Sequence, residues 1–250
     1  SRYLRQAGEA QRQRASVLRC LLSQRCLPKT GLPDGEIELL IRELAGMDSN
    51  NFQSNVGVGE REGRVFSSLV SARHFGLSHG VGRSGELTAE QPKAIGSSLI
   101  YKLANALTLD AVHQCGITSA KTCVVTPIAT GMTLTVVLLA LKQKNPRGRF
   151  VVWPRVDQKS GIKAIVACGL IPIIVDTRLA GDEVVCLPED IERAIKERTG
   201  TTGECLAVLT TNSTFAPRAS DPIRQVGVIC ERLGVAHVVN NAFGLQSTKL

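Results

Sequence analysis

The sequence predicts an α/β fold built on a mainly parallel sheet, preceded by a helical N-terminal extension. Three observations carry this reading. From about residue 120, short β-branched runs alternate with longer helical patterns. Those runs are apolar throughout rather than alternately polar, as strands covered by helices on both faces are. The residues before them hold helical spacing and glycine-rich loops, with no comparable rhythm. The chain has 250 residues, 43% hydrophobic and 21% charged, a globular composition sized for one large or two modest domains. No run approaches the ~18 apolar residues of a membrane span.

The elements follow in order. Residues 5–26 have helical spacing at Val17, Leu18, Leu21 and Leu22, and a second helix is expected over 34–46. A Gly- and Arg-rich loop region spans 55–86. A long helix then runs from about 89 to 115, with Ile95, Leu99, Leu103, Ala106 and Leu107 as its apolar stripe. The expected strands are TCVVTP (122–127), RFVVWP (149–154), LIPIIVD (170–176), ECLAVLTT (204–211) and VAHVVN (235–240). Helices are expected between them at 131–143, 157–168, 188–198 and 221–233. The third of these opens with Pro188, Glu189 and Asp190, residues suited to the positive end of a helix. We divide the chain into a helical extension (1–54), a loop region with the long helix (55–119) and the α/β body (120–250).

Net charge is +8 and unevenly spread. Arg2, Arg5, Arg12, Arg14, Arg19, Arg25 and Lys29 face Glu9 alone in the first thirty residues, which fits either a polyanionic partner, nucleic acid first, or a solvated helix face. The eight cysteines include no C-x-x-C pair and mostly sit in apolar runs, the pattern of free thiols in a reducing, cytoplasmic compartment. The four histidines have no metal-ligand spacing, so no metal is expected.

Gly80-Val-Gly82-Arg-Ser-Gly85 matches G-x-G-x-x-G literally. It follows no convincing strand and lacks the distal acidic residue of a dinucleotide site, so it does not support NAD binding. Glycines beside Arg83 and Ser84 nonetheless suit an anion, and Gly57-Val-Gly59-Glu60-Arg61-Glu62-Gly63-Arg64 adds arginines upstream. Thr88-Ala-Glu-Gln91 reads as a capping box, yet the same helix start could hold a phosphate. Pro127-Ile-Ala129-Thr130-Gly131-Met132-Thr133 exposes backbone donors where a strand is expected to pass into a helix, without the G-K-[ST] ending of a nucleotide triphosphate loop. Three further turns, 153–160, 210–214 and 240–243, follow later strands. Polar turns at the carboxyl ends of parallel strands mark the usual α/β crevice, so one binding site is expected there.

Together, MDSNNF (47–52), GVGEREGR (57–64), HGVGRSGELTAEQPKAIGSSL (79–99), ATGM (129–132), WPRVDQKS (153–160), FAPR (215–218) and VNNAFG (239–244) resemble the O-phosphoseryl-tRNA(Sec) selenium transferases, nearly end to end and in order. The resemblance implies a fold-type-I pyridoxal-phosphate transferase large domain, assembled as a homotetramer. It implies that Arg61, Arg83, Ser84 and Gln91 read the substrate phosphoryl group. Ala129, Thr130, Gly131 and Met132 would surround the cofactor phosphate, Gln158 would lie against pyridoxal 5′-phosphate, and Asn240 would face its pyridine nitrogen. Where many relatives of the wider fold carry an aspartate, a neutral amide makes a weaker electron sink. That is tolerable for β-elimination with phosphate as leaving group, after which selenophosphate supplies selenium to the seryl group on tRNA(Sec).

The family carries its Schiff-base lysine in an Asp-Lys-Asn motif beyond VNNAFG. With Ser1 in place of methionine and Leu250 ahead of that motif, we expect a fragment with no catalytic lysine and no small C-terminal domain, inactive alone. Lys249 matches a different family position. Two rivals stand beside this reading: a noncatalytic tRNA-binding scaffold using the basic arm, and a pyridoxal enzyme acting on free amino acids.

Overall fold

Six strands are described: β1 (Phe150–Pro154), β2 (Ile171–Val175), β3 (Arg178–Ala180), β4 (Glu183–Val185), β5 (Cys205–Ser213) and β6 (Ala236–Asn241). Four make a wholly parallel sheet in the order β2-β1-β5-β6, and β3-β4 is a separate antiparallel hairpin. The helices are α1 (Arg2–Gln24), α2 (Asp34–Ala45), α3 (Ser68–Arg73), α4 (Ile95–Gln114), α5 (Thr130–Lys144), α6 (Lys159–Ala167), α7 (Pro188–Arg198) and α8 (Ile223–Leu233). This computed structural model describes residues 2–52, 65–77, 79–80, 82–198, 202–215 and 217–247. They fall into two compact units, Ser1–Thr126 and Pro127–Leu250.

In the second unit the sheet separates two apolar layers. Val151, Trp153, Leu206 and Leu209 pack with Leu134 and Leu138 of α5 and Ala164 and Ile165 of α6. Val152, Cys205 and Val208 pack with Ile191 and Ile195 of α7 and Val226 and Ile229 of α8. Consecutive β1 residues thus serve opposite layers, as strand geometry requires. Fully burying each such Val, Leu or Ile stabilises the fold by about 1.5–3 kcal/mol relative to exposure. Two bulges interrupt β5. Phe150 pairs with Cys205 and Val151 with Ala207, leaving Leu206 extra; Thr211 pairs with Asn240 and Ser213 with Asn241, leaving Asn212 extra. The second lies at the carboxyl end, where a bulge re-aims a side chain. Strand order reverses between β1 and β5: the chain leaves β1 for β2 on one side and returns as β5 on the other. Such a reversal marks the place, at the carboxyl ends of these strands, where open α/β sheets bind ligands.

A buried ion pair braces this edge. Arg218 and Asp221 are bonded to each other, their side chains 4% and 0% exposed. Arg218 also donates to the carbonyls of Arg155 (2.6 Å) and Ala219 (3.2 Å). Asp221 accepts from the Thr211 N–H at 2.7 Å. The pair therefore ties the turn after β5 both to the end of β5 and to the turn after β1. Burial pushes the Asp221 carboxyl up, while the Thr211 N–H and the Arg218 guanidinium pull it back.

In the first unit, α2 and α4 approach very closely. A Cβ on Gly96 would lie 1.7 Å from the Leu44 carbonyl oxygen, so only glycine fits. Buried Asp48 caps α4 from a distance, accepting from the Ser97 N–H at 3.0 Å and from the Ser97 hydroxyl. Helix α1 buries only Leu21.

The structure corrects several expectations. TCVVTP is no strand: 122–126 has no ladder partner among the described residues, and Val124 and Val125 are 48% and 37% exposed. The Val125 N–H instead donates to Asn105 Oδ1, and its carbonyl accepts from the Tyr101 hydroxyl, both at 2.8 Å. Helix α4 begins at Ile95 rather than near 89, so Gln91 precedes it and closes no capping box. Thr88 donates to Glu86 (3.3 Å) rather than capping a helix. The β3-β4 hairpin and α3 were not expected. All eight cysteines are free; burial pushes Cys186 up to about 12 and Cys205 and Cys230 to about 11, leaving inert thiols. Among the described residues no helix is long and apolar enough to cross a membrane.

Two outcomes follow from this packing. Replacing Arg218 by alanine strands a buried carboxylate and should cost about 3–5 kcal/mol of stability, read by urea unfolding. His237 bonds Thr210 Oγ1 through Nε2 at 2.8 Å, and burial lowers its pKa below the usual 6.5. Below pH 6.5 the unfolded chain then binds the proton more readily, so stability falls as pH drops through 6.5 toward the lowered value. A His237→Asn variant should show a shallower fall in urea midpoint between pH 7 and pH 5.

Candidate functional site

The site in the second unit is built where polar turns leave the parallel sheet. The turn after β1 delivers Gln158, which has extended backbone at the start of α6 and makes no cap bond with its side chain. Its Oε1 instead accepts from Asn240 Nδ2 at 3.4 Å. Asn240 is buried near the end of β6, and its backbone pairs with Thr211 of β5. Asn212, the bulged residue, donates through Nδ2 to Asn241 Oδ1 at 3.1 Å. Gly244 closes on this pair so tightly that a Cβ would sit 2.1 Å from Asn241 Oδ1 and 2.3 Å from Asn212 Nδ2. The Phe243 N–H donates to Ser213 Oγ at 2.9 Å, and the exposed rings of Phe215 and Phe243 meet edge to face at 6.2 Å. Together with Arg218, these contacts join the turns after β1, β5 and β6.

The segment Ala129-Thr130-Gly131-Met132 reaches the same assembly without a preceding strand. Ala129, in extended backbone, is followed by helix from Thr130, and the N–H groups of that first turn have no intrahelical acceptor. A Cβ on Gly131 would stand 3.7 Å from Ser160 Cβ, so the first turns of α5 and α6 meet. Neither contains an acidic residue. Two positive helix ends in contact, without a carboxylate between them, suit a phosphate. Ser160 Oγ is buried beside them with no hydrogen-bond partner. An orphaned hydroxyl and uncapped backbone donors are a donor set that a phosphorylated cofactor fits. Asn240 and Gln158 offer uncharged amides to the remainder of such a group.

The residues expected to read a substrate phosphate lie on the first unit. Arg83, Ser84, Gly85 and Glu86 form a two-residue hairpin, with reciprocal 2.9 Å bonds between the Arg83 and Glu86 backbones. Ser84 and Gly85 have φ of 51° and 87°, the left-handed pair of a type I′ turn. Gly82 has φ 74°, and a Cβ there would lie 2.1 Å from the Glu86 carbonyl oxygen. Gly82 and Gly85 of G-x-G-x-x-G thus serve a tight hairpin that presents Arg83 and Ser84 exposed at its tip. Gln91 donates its N–H to Ser98 Oγ at 3.0 Å and accepts from the Ala94 N–H with its carbonyl at 2.9 Å. No hydrogen bond among the described residues joins Arg83, Ser84 and Gln91 to one another. The start of α4 is not open to a phosphate, because the Asp48 carboxylate occupies it. Arg61 lies outside the described residues.

Ser160, Asn212 and Arg218 were not singled out from sequence. WPRVDQKS, the 210–214 turn and FAPR held the signal, but a bulge and an orphaned hydroxyl become visible only in three dimensions.

Comparison with known proteins gives a consistent placement. The family model described as O-phosphoseryl-tRNA(Sec) selenium transferase, SepSecS, matches residues 47–250. The O-phosphoseryl-tRNA(Sec) selenium transferase of Dictyostelium discoideum is 47% identical over 99% of this chain and 52% of its own length. That of Methanopyrus kandleri is 42% identical over 90% of this chain and 50% of its own. The crystal structure of an archaeal O-phosphoseryl-tRNA(Sec) selenium transferase superposes with TM-score 0.90 at 34% identity, covering 100% of this chain and 57% of that one. The chain spans about half the length of the curated relatives it matches. On the family match over 47–250, it belongs to the O-phosphoseryl-tRNA(Sec) selenium transferase family.

Proposed function

We propose that the protein carrying this chain converts O-phosphoseryl-tRNA(Sec) to selenocysteinyl-tRNA(Sec), with pyridoxal 5′-phosphate as cofactor and selenophosphate as selenium donor. The observation that carries this reading is the meeting of two acid-free helix starts beside the Gln158–Asn240 pair, at the edge where the strand order reverses. The relatives' names supply the substrate class. When bound, the cofactor withdraws electrons from the substrate's α-carbon. Ala129, Thr130, Gly131 and Met132 would hold its phosphate, Gln158 its ring, and Asn240 its ring nitrogen. Because Asn240 is a neutral amide, it orients that nitrogen without fixing a proton on it. Arg83, Ser84, Gln91 and Arg61 would bind the substrate phosphoryl group, with the guanidiniums offsetting negative charge on the departing phosphate. We assign residues 1–54, 55–119 and 120–250 to the helical extension, the phosphate loop with its helix, and the cofactor-binding domain. A cytoplasmic homotetramer is part of the same reading.

Helix α1 supports a tRNA role. It buries only Leu21, and Arg2, Arg5, Arg12, Arg14 and Arg19 are exposed. Reversing Arg12, Arg14 and Arg19 to glutamate should weaken tRNA binding by the full-length protein at least tenfold and flatten its salt dependence. Unchanged affinity in a filter-binding titration would remove α1 from the interface. Replacing Arg83 by alanine should lower phosphate release from O-phosphoseryl-tRNA(Sec) by a hundredfold or more, leaving the cofactor absorption band of the full-length protein intact. Wild-type turnover by that variant would refute the phosphate-loop assignment. Equal turnover of free O-phosphoserine would favour an enzyme of free amino acids instead.

A further inference from the structure

The hydroxyl of Ser160 contributes no hydrogen bond to the fold. Its oxygen is buried, yet it reaches no donor or acceptor among the described residues. Burying a hydroxyl without a hydrogen bond costs free energy, and native proteins seldom leave one unpaired without a use. Ser160 also lies in the first turn of α6 against Gly131 in the first turn of α5. Both helices, fifteen and nine residues long, end here with uncompensated positive partial charge. At three other helices the chain supplies a carboxylate at such a place: Asp34 and Glu36 in α2, Asp48 at α4, Glu189 and Asp190 in α7. In the first turns of α5 and α6 it supplies none, Asp157 ahead of α6 is exposed, and the residue opening α6 is the cation Lys159. Gly131 brings no side chain between the two turns; a Cβ there would lie 3.7 Å from that of Ser160.

We propose that Ser160 Oγ donates a hydrogen bond to the phosphate of the cofactor, completing an anion pocket shared by the starts of α5 and α6. The proposal rests on the pyridoxal-phosphate reading above and extends the ATGM segment with a residue from a different turn. Pairing with a dianionic phosphate satisfies the hydroxyl, and the same anion offsets both helix ends. An ordinary structural serine would lose stability on truncation. Here the sign is reversed: without ligand, removing an unpaired buried hydroxyl leaves stability unchanged or raises it.

The test uses the full-length protein freed of cofactor, with pyridoxal 5′-phosphate and pyridoxal as paired probes. In Ser160→Ala, affinity for pyridoxal 5′-phosphate should fall about tenfold or more, while affinity for pyridoxal stays as in wild type. Its apo Tm should equal or exceed the wild-type value, and the gain in Tm on adding pyridoxal 5′-phosphate should shrink. Gly131→Ala, which places a methyl group between the two turns, should likewise weaken pyridoxal 5′-phosphate but not pyridoxal. The inference is overturned if Ser160→Ala binds both probes like wild type, weakens both equally, or lowers the apo Tm. It is also overturned if wild type binds the two probes equally. Failure of wild type to bind either probe would overturn the cofactor reading itself, a separate result.

Discussion

Because all four strands of the sheet run parallel, the helices that connect them begin at one edge, and their positive ends gather there. That charge needs a counterpart. Asp190 answers it at α7, where its carboxylate also binds Arg178 and Arg193. Asp221 stands just ahead of α8, paired with Arg218. Helices α5 and α6 have no such residue in their first turns, and they touch; Asp157, just ahead of α6, is exposed where Asp221 is buried. The edge therefore carries its compensation unevenly, and the uncompensated place adjoins the Gln158–Asn240 pair. The proposed ligand position there is thus favoured by the direction of the strands as well as by the family likeness.

Compensation and rigidity are supplied by the same group. Asp221 bonds the end of β5, and Arg218 carries that constraint to the carbonyl of Arg155, three residues before Gln158. A lysine could match the charge but not the planar fork that reaches Asp221 and two carbonyls together. The Asn212 bulge and the close fit of Gly244 lock the neighbouring turn of β6 in the same manner. Polar side chains that would be liabilities in the apolar layers thus act at the rim, where they hold short turns in one arrangement.

Much of the α/β body was legible because burial on both faces leaves a strong imprint. The apolar runs became β1, β2, β5 and β6, and Pro188 with its two acids opened α7 at the expected residue. TCVVTP misled because β-propensity describes fitness for a pleated surface, not the presence of a neighbouring strand. Its backbone is bonded instead by Asn105 and Tyr101. Thr88 to Gln91 misled because a four-residue spacing is cheap in sequence. The cap of α4 came from Asp48, far away in the chain, beside a glycine needed for helix contact. Short hairpins such as β3-β4, three residues a strand, carry too few residues for a period to register. At the site, residue types were readable, whereas the unpaired state of Ser160 depends on what every neighbour does.

The proposed reading places two anion-binding devices in this chain, and their construction differs in a way that fits their occupants. Arg83 and Ser84 sit exposed on a turn of two left-handed residues, where a guanidinium is screened by water and exchanges its partner at little cost. Such a device suits a group that must arrive on a bulky substrate and leave as free phosphate. Backbone N–H groups at two helix starts and the buried Ser160 hydroxyl are fixed in direction by the fold, so they would hold a phosphate with little reorganisation. Those properties suit a resident group that stays through many turnovers. In the proposed reading the same chemistry, phosphate recognition, is divided between side chains on a hairpin tip, which would release their anion, and backbone donors fixed at helix starts, which would retain it.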